Sequence, residues 1–84
     1  MYTLVYYYRE TRGSKVVERE FRYSDEFRLR RTALHYLLDI VQNDYREDGY
    51  GTEVRVGGIY CYKSERISES ERKIIEVLIK IEKV

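Results

Sequence analysis

The chain has 84 residues, enough for one small domain that buries only about 60–65% of the surface its unfolded chain would expose. Sixteen Lys and Arg residues nearly balance fifteen Asp and Glu residues, and the net charge of +1 excludes the broad positive field that usually drives binding to duplex nucleic acid. The single cysteine excludes an internal disulfide framework and a cysteine-based zinc site, and no apolar run approaches the roughly 20 residues of a membrane span. We therefore expect one cytoplasmic domain over residues 1–84.

Tyrosine is the unusual component of this composition, with ten copies in 84 residues. Its ring offers a large amphipathic contact area at a low cost in side-chain entropy, and protein interfaces are enriched in it for that reason. The many ionic residues beside a single Asn and a single Gln resemble the usage of thermophile proteins, although the chain contains no proline.

The first predicted element is a β-hairpin. Residues 2–9 and 15–23 are rich in β-branched and aromatic side chains, which is typical of strands, and Arg12-Gly13 is the predicted two-residue turn between them. This turn places Leu4 opposite Phe21 on one side of the sheet. The other side then carries Val5, Tyr7, Arg9, Glu18, Glu20 and Arg22.

A helix is predicted next, over residues 24–48. Ser24 is a typical N-cap, and the two acidic residues that follow it lie in the first turn, where the helix dipole favours them. Apolar residues recur at three- and four-residue spacing until Gly49 ends the pattern. The predicted apolar stripe comprises Phe27, Ala33, Leu34, Leu37, Leu38, Ile40, Val41 and Tyr45.

A second hairpin is predicted around the sequence "TEVRVGGIYCYK", residues 52–63. With Gly57-Gly58 as its turn, Val56 faces Ile59 on one side while Arg55 faces Tyr60 on the other. A single strand that continues through a bulge at the glycines is the alternative.

The last segment, "SESERKIIEVLIKIEKV", fits two structures. Ser68 and Glu71 form a capping box, and Ile74, Val77, Leu78 and Ile81 have helical spacing, which favours a helix. The β-branched residues between 75 and 81 also alternate like a strand. We predict an α+β domain of ββαββα order, a four-stranded antiparallel sheet with two helices packed on one face. The alternative is ββαββ with a C-terminal strand.

The uncovered side of this sheet is the predicted binding surface. It combines tyrosines with charged residues, and its predicted partner-binding set is Val5, Tyr7, Arg9, Arg22, Arg55, Tyr60 and Tyr62. Such residues dominate the energetics of protein–protein interfaces, so we predict a protein partner, with a homodimer as the simplest version. A lattice of cross-strand pairs that only stabilises the sheet is an equal alternative.

Single-stranded nucleic acid is the second predicted ligand. Tyr7, Tyr60 and Tyr62 would stack on bases while arginines on the same side hold phosphates. Further contacts are predicted from the basic residues Arg12, Lys15, Arg28 and Arg31. Glutamates on the same side would repel phosphate, which ranks this ligand below a protein.

Catalytic chemistry has little support in the sequence. His35 and Asp39 are one helical turn apart but lack a nearby nucleophile, and Cys61 is predicted to face the core. A metal-dependent nuclease using Asp44, Glu47, Asp48 and Glu53 ranks third. We therefore predict a non-catalytic protein without a cofactor, metal, small-molecule substrate or membrane partner, of a kind that suits regulators or inhibitors from viruses, plasmids or archaea.

Overall fold

Five strands form a single antiparallel sheet in the computed structural model, which describes residues 1–84, and one helix packs on one side of it. The strands are β1 (Tyr2–Arg12), β2 (Lys15–Arg22), β3 (Gly51–Arg55), β4 (Gly58–Arg66) and β5 (Arg72–Lys83). Their spatial order is β2-β1-β5-β4-β3, so β2 and β3 are the two edges. The helix α1 spans Arg30–Ile40 and continues as a π-helical segment over Val41–Arg46. The predicted ββαββα fold, with four strands and two helices, is wrong.

The C-terminal segment is the source of this error. A helix is predicted for this segment, but residues 72–83 form the central strand of the sheet. This strand pairs with β1 on one side and with β4 on the other. Its alternate residues Ile75, Val77 and Ile79 are buried beneath α1. A central strand can satisfy its backbone hydrogen bonds from both neighbours, and its β-branched side chains pack well on the pleated surface.

Both predicted hairpins form, but each turn is displaced by one residue. The first turn is Gly13-Ser14 between paired Arg12 and Lys15, and the second is Val56-Gly57 between paired Arg55 and Gly58. Each displacement shifts the cross-strand register by two residues. Because side chains alternate with a period of two, every strand residue keeps its predicted side of the sheet.

Glycine conformation explains where the second turn falls. Gly57 has a φ of +77°, which the turn needs at its second central position. Gly58 is instead the first residue of β4, and a Cβ there would overlap the backbone carbonyl of Ile79. The two adjacent glycines therefore serve two different purposes, and only one of them belongs to the turn.

The helix begins at Arg30 and not at Ser24, because the preceding segment is held against β1. The Phe27 N–H donates to the Tyr2 carbonyl and the Tyr2 N–H donates to the Phe27 carbonyl, both at 2.7 Å. These bonds keep Phe27 extended and exclude it from a helix.

The core lies between the sheet and one face of the helix. Ala33, Leu37 and Val41 are the buried helical residues, at four-residue spacing, whereas Leu34 and Leu38 of the predicted stripe are exposed. The three buried helical residues pack with apolar residues from the three central strands. Those strand residues are Leu4, Ile59, Cys61, Ile75, Val77 and Ile79. No helix of the protein combines the length and the apolar content needed for crossing a membrane.

Candidate functional site

The side of the sheet opposite the helix, called the open face below, holds most of the predicted partner-binding residues. Residues that pair directly across antiparallel strands share a side of the sheet, so the register defines this face. Its central row crosses all five strands and consists of Glu53, Tyr60, Leu78, Tyr7 and Glu20. The next row on one side is Gly51, Tyr62, Glu76, Arg9 and Glu18, and on the other side Arg55, Gly58, Lys80, Val5 and Arg22.

The central row has a symmetric composition. A leucine on β5 stands between two tyrosines, and a glutamate ends the row on each edge strand. The β5 residues of the open face, Glu76, Leu78, Lys80 and Glu82, were missed at the sequence level because this segment was assigned to a helix. The alternation of buried Ile75, Val77 and Ile79 was the available signal.

Glu76 connects two other side chains of the open face. Its Oε2 accepts a hydrogen bond of 2.5 Å from the Tyr60 hydroxyl, and its Oε1 accepts one of 3.2 Å from Nε of Arg9. Burial, and then the hydrogen bond to this carboxylate, raise the pKa of Tyr60 to about 12. One carboxylate therefore fixes an aromatic ring from β4 and a guanidinium from β1.

The Tyr7 side chain is held on the other side of the central row from the Tyr60 hydroxyl. Its hydroxyl donates to Glu82 on β5, and this hydrogen bond is the main cause that raises the pKa of Tyr7 to about 12. Glu82 is paired with Thr3, so the Tyr7 side chain must extend across the row that contains Val5. Val5 is completely buried, so its side chain adds nothing to the exposed surface of the open face.

A second aromatic group lies toward the β3 edge. The rings of Tyr60 and Tyr62 stack with centroids 5.5 Å apart, and the Arg55 guanidinium lies 4.4 Å from the centroid of Tyr60. Arg55 also donates two hydrogen bonds, of 3.1 and 3.2 Å, to the Glu53 carboxylate. The Tyr62 ring covers Gly51, where a Cβ would lie 2.5 Å from the ring. Each of these side chains is therefore held by at least one neighbour.

The opposite tilts of the two anchored tyrosines leave a hollow between them. Tyr60 leans toward the Glu76 row and Tyr7 toward Glu82, which uncovers part of Leu78. The resulting concavity has a volume of about 560 Å³, and Arg9, Glu18, Glu20 and Arg55 contribute to its lining along with Tyr7, Tyr60, Glu76 and Leu78. This combination of an apolar centre with a charged surround is typical of binding surfaces.

The four additional basic residues do not join the open face into one positive stripe. Arg12 and Lys15 flank the β1–β2 turn, where Arg12 pairs with Glu71 at 2.8 Å. Arg28 and Arg31 are exposed near the start of the helix, beside Phe27, which pairs with the opposite end of β1. With 11 residues, β1 separates the two pairs by roughly 30 Å.

The remaining candidates for chemistry are a thiol, a set of acidic residues and a His–Asp pair. Cys61 is completely buried, and burial raises the pKa of its thiol to about 11, opposite to the shift that activates a nucleophile. No three His, Cys, Asp or Glu side chains are close enough together to hold a metal ion, which includes the four acidic residues of the nuclease hypothesis. His35 and Asp39 are exposed on the helix, away from the open face.

The fold and the open face define a small α+β protein with one uncovered side of its sheet. Comparison with known proteins finds no matching family, no matching curated protein and no matching solved structure.

Proposed function

We propose that the protein is a non-catalytic interaction protein whose open face binds a convex element of another protein. The observation that carries this proposal is the central row, where Leu78 lies in a hollow between two tyrosines that are held in place by carboxylates. An apolar or aromatic side chain of the partner would enter this hollow, and charged groups at its rim would exclude water from the contact.

Pre-organisation supports binding at this surface. Ordering a flexible side chain on binding costs about 0.5–1.5 kcal/mol, and side chains that are already fixed avoid part of that cost. Tyr7, Tyr60 and Arg55 are each restrained in the free protein by a hydrogen bond, a stacked ring or both. These are also residue types that interface hot spots favour.

The charge distribution favours a protein over single-stranded nucleic acid. Arg9 and Arg55 already pair with glutamates, and Glu18 and Glu20 line the same concavity, where they would repel phosphate. The ring faces of Tyr60 are shared with Tyr62 and Arg55, which leaves little aromatic surface for a base. A protein partner with side chains of both charges meets neither obstacle.

The shape of the face favours a different protein over a second copy. Two copies packed face to face would each present the same hollow at Leu78, and neither would fill the other. A helix or a protruding loop has the convex shape that fits, and we therefore assign the occupant as such an element of another protein.

The test combines photo-cross-linking with measured affinities. A photoreactive amino acid replaces Tyr62 on the open face or, as the matched control, Tyr36 on the helix, because both side chains are 45% exposed. Cross-linking is performed in cells that naturally produce the protein, and any protein captured from Tyr62 but not from Tyr36 is purified. Its affinity is then measured against the double variant Tyr7→Ala/Tyr60→Ala and against Tyr36→Ala.

We expect the double variant to bind at least about 100-fold more weakly, because hot-spot tyrosines contribute about 2 kcal/mol each. Tyr36→Ala should bind like the unmodified chain. Equal affinity for both variants would contradict the proposal. Binding of a mixed-sequence oligonucleotide that weakens steeply with salt, in place of a protein, would also contradict it and would support the nucleic-acid alternative.

A further inference from the structure

We propose that two copies of the chain associate through the edge strand β2, which pairs antiparallel with β2 of the second copy. This inference goes beyond the proposed function, because it concerns the edge of the sheet and not its open face. The pairing would join the two sheets into one of ten strands, with both open faces on the same side.

The first observation is the exposure of β2. All eight of its residues, Lys15–Arg22, are exposed on both sides of the sheet, and the helix packs on the central strands without covering this edge. Val16, Val17 and Phe21 are 54%, 42% and 50% exposed. A long, uncovered edge of this kind is a template for pairing with another strand.

The other edge is less suitable. β3 has only five residues, Gly51–Arg55, and the π-helical segment packs against it. Arg46 from that segment donates a hydrogen bond of 3.0 Å to the Thr52 hydroxyl on β3. Short and partly covered edges are a common protection against pairing, and β2 lacks both features.

The backbone of β2 determines which registers are open to a second copy. In a two-residue hairpin the closing pair, here Arg12 with Lys15, exchanges both hydrogen bonds, and such pairs then alternate along the strands. The hydrogen bond from the Tyr23 N–H to the Leu4 carbonyl fits this alternation, in which the odd-numbered residues of β2 bond to β1. The N–H and C=O groups of residues 16, 18, 20 and 22 therefore point away from β1 and are free for a second strand.

Charge complementarity and the length of overlap together favour one register. When Glu20 lies opposite Glu20 of the second copy, Glu18 of each copy lies opposite Arg22 of the other, which gives two opposite-charge pairs on either side of one like-charge pair at the two-fold axis. On the helix side, Phe21 then lies beside Arg19 of the second copy. A register shifted by one pair toward the turn would instead place Glu18 opposite Glu20 twice, and like charges directly opposite each other are unfavourable. A register shifted the other way would pair Glu20 with Arg22 twice, but only residues 20–22 of β2 would overlap, against residues 18–22 in the chosen register.

The proposed dimer would bring the concavities of the two open faces together. Glu18 and Glu20 line the hollow of the open face and also lie next to the two-fold axis of the proposed dimer. The two hollows would consequently be adjacent on one continuous surface. A partner with two binding elements would gain effective affinity from engaging both.

The test is a charge-swap cycle measured by sedimentation equilibrium on the purified chain, with no other protein present. The variants are Glu18→Arg, Arg22→Glu and the double swap, with Glu53→Arg on β3 as the control because its side chain is also exposed. Each single variant places like charges opposite each other in both pairs, and we expect the dimer dissociation constant to rise about tenfold or more. The double swap should restore it to within about threefold, and the control should leave it unchanged.

Hydrogen exchange of the unmodified chain provides a second measurement that needs no variant. The amides of residues 18, 20 and 22 should become protected as the protein concentration rises, while exposed amides of β3 should not change. A chain that stays monomeric at every concentration would overturn the proposal. A dimer that ignores the charge swaps but is lost in Tyr7→Ala/Tyr60→Ala would also overturn it, and would point to self-association through the open face.

Discussion

The backbone of Gly58 lies directly against the carbonyl of Ile79, so that no side chain fits at position 58. Gly58 is the first residue of β4 and pairs with Lys80, so the close approach falls where β4 meets the central strand. Gly57, one residue earlier, is needed for its positive φ in the turn. The glycine pair therefore joins the second hairpin to β5 and hence to the rest of the sheet.

This relationship predicts different costs for alanine at adjacent positions. Gly58→Ala should lower the free energy of unfolding by about 2–3 kcal/mol, because the added methyl group meets rigid backbone that must shift. Gly57→Ala should cost about 1 kcal/mol, because it strains a left-handed residue in open space. Both values come from urea denaturation followed by circular dichroism. Val56→Ala is the control, since Val56 is 97% exposed, and a Gly58→Ala chain as stable as this control would contradict the β4–β5 contact.

The strand assignment of the C-terminal segment predicts which of its isoleucines stabilise the fold. Ile79 is completely buried on the helix side of β5, whereas Ile74 is 43% exposed on the opposite side. Ile79→Ala should therefore lower the free energy of unfolding by about 2–5 kcal/mol, and Ile74→Ala by less than about 1 kcal/mol. A helix over the same residues would instead bury Ile74, so the opposite ranking in urea denaturation would disprove the strand.

The difference between these two isoleucines also shows why the fold of this segment could not be predicted from its apolar pattern. Between residues 74 and 81 the side chains on the helix side of β5 are all apolar, and most of those on the open face are partly buried. Both features are common for a strand at the centre of a sheet. Such a run contains both a helical stripe and a strand alternation. The choice depends on whether β1 and β4 accept a strand between them, and that information is distributed over the whole chain.

The hairpins were predictable to within one turn residue for a related reason. Apolar alternation fixes the side of the sheet on which Tyr7, Arg9, Tyr60 and Tyr62 lie, and a register slip of two residues leaves those sides unchanged. The same alternation cannot reveal that Tyr7 crosses over Val5 to reach Glu82, because that contact needs a neighbouring strand that was assigned to a helix. The open face was thus predicted in its outer strands and missed in its centre.

The contact between Tyr60 and Glu76 predicts a measurable change in titration. In Glu76→Gln the amide can still accept the hydrogen bond, but the negative charge is gone, so the pKa of Tyr60 should fall from about 12 toward the ordinary value of 10.0. It should remain above that value because burial is the larger cause of the shift. The measurement is a pH titration by NMR with ¹³C-labelled tyrosine rings. Glu82→Gln is the control, which should lower the pKa of Tyr7 and leave Tyr60 unchanged. An unchanged Tyr60 in Glu76→Gln would contradict the contact.

The same shift gives a pH dependence of stability with a defined sign. The folded chain keeps the Tyr60 proton to a higher pH than the unfolded chain, so between pH 10 and about 12 the folded state binds more protons. The free energy of unfolding contributed by this group is complete below pH 10 and falls as the pH rises through that window. Glu76→Gln should make this loss smaller, as measured by urea denaturation at a series of alkaline pH values. A loss equally large in both chains would show that Tyr60 is not responsible.

The buried thiol of Cys61 predicts the reactivity of the chain toward a thiol reagent. Cys61 is completely buried and paired with Val77 on β5, and burial raises its pKa to about 11, so both access and ionisation oppose the reaction. Labelling by a disulfide reagent at neutral pH should therefore require opening of the sheet, and should be at least about 10³-fold slower than in denaturant. At a reagent concentration low enough for opening and closing to be fast relative to labelling, Val77→Ala should accelerate labelling by the factor by which it raises the population of the open form. Ile74→Ala should have little effect. Labelling of the native chain at the unfolded rate would place Cys61 at the surface and contradict the core described above.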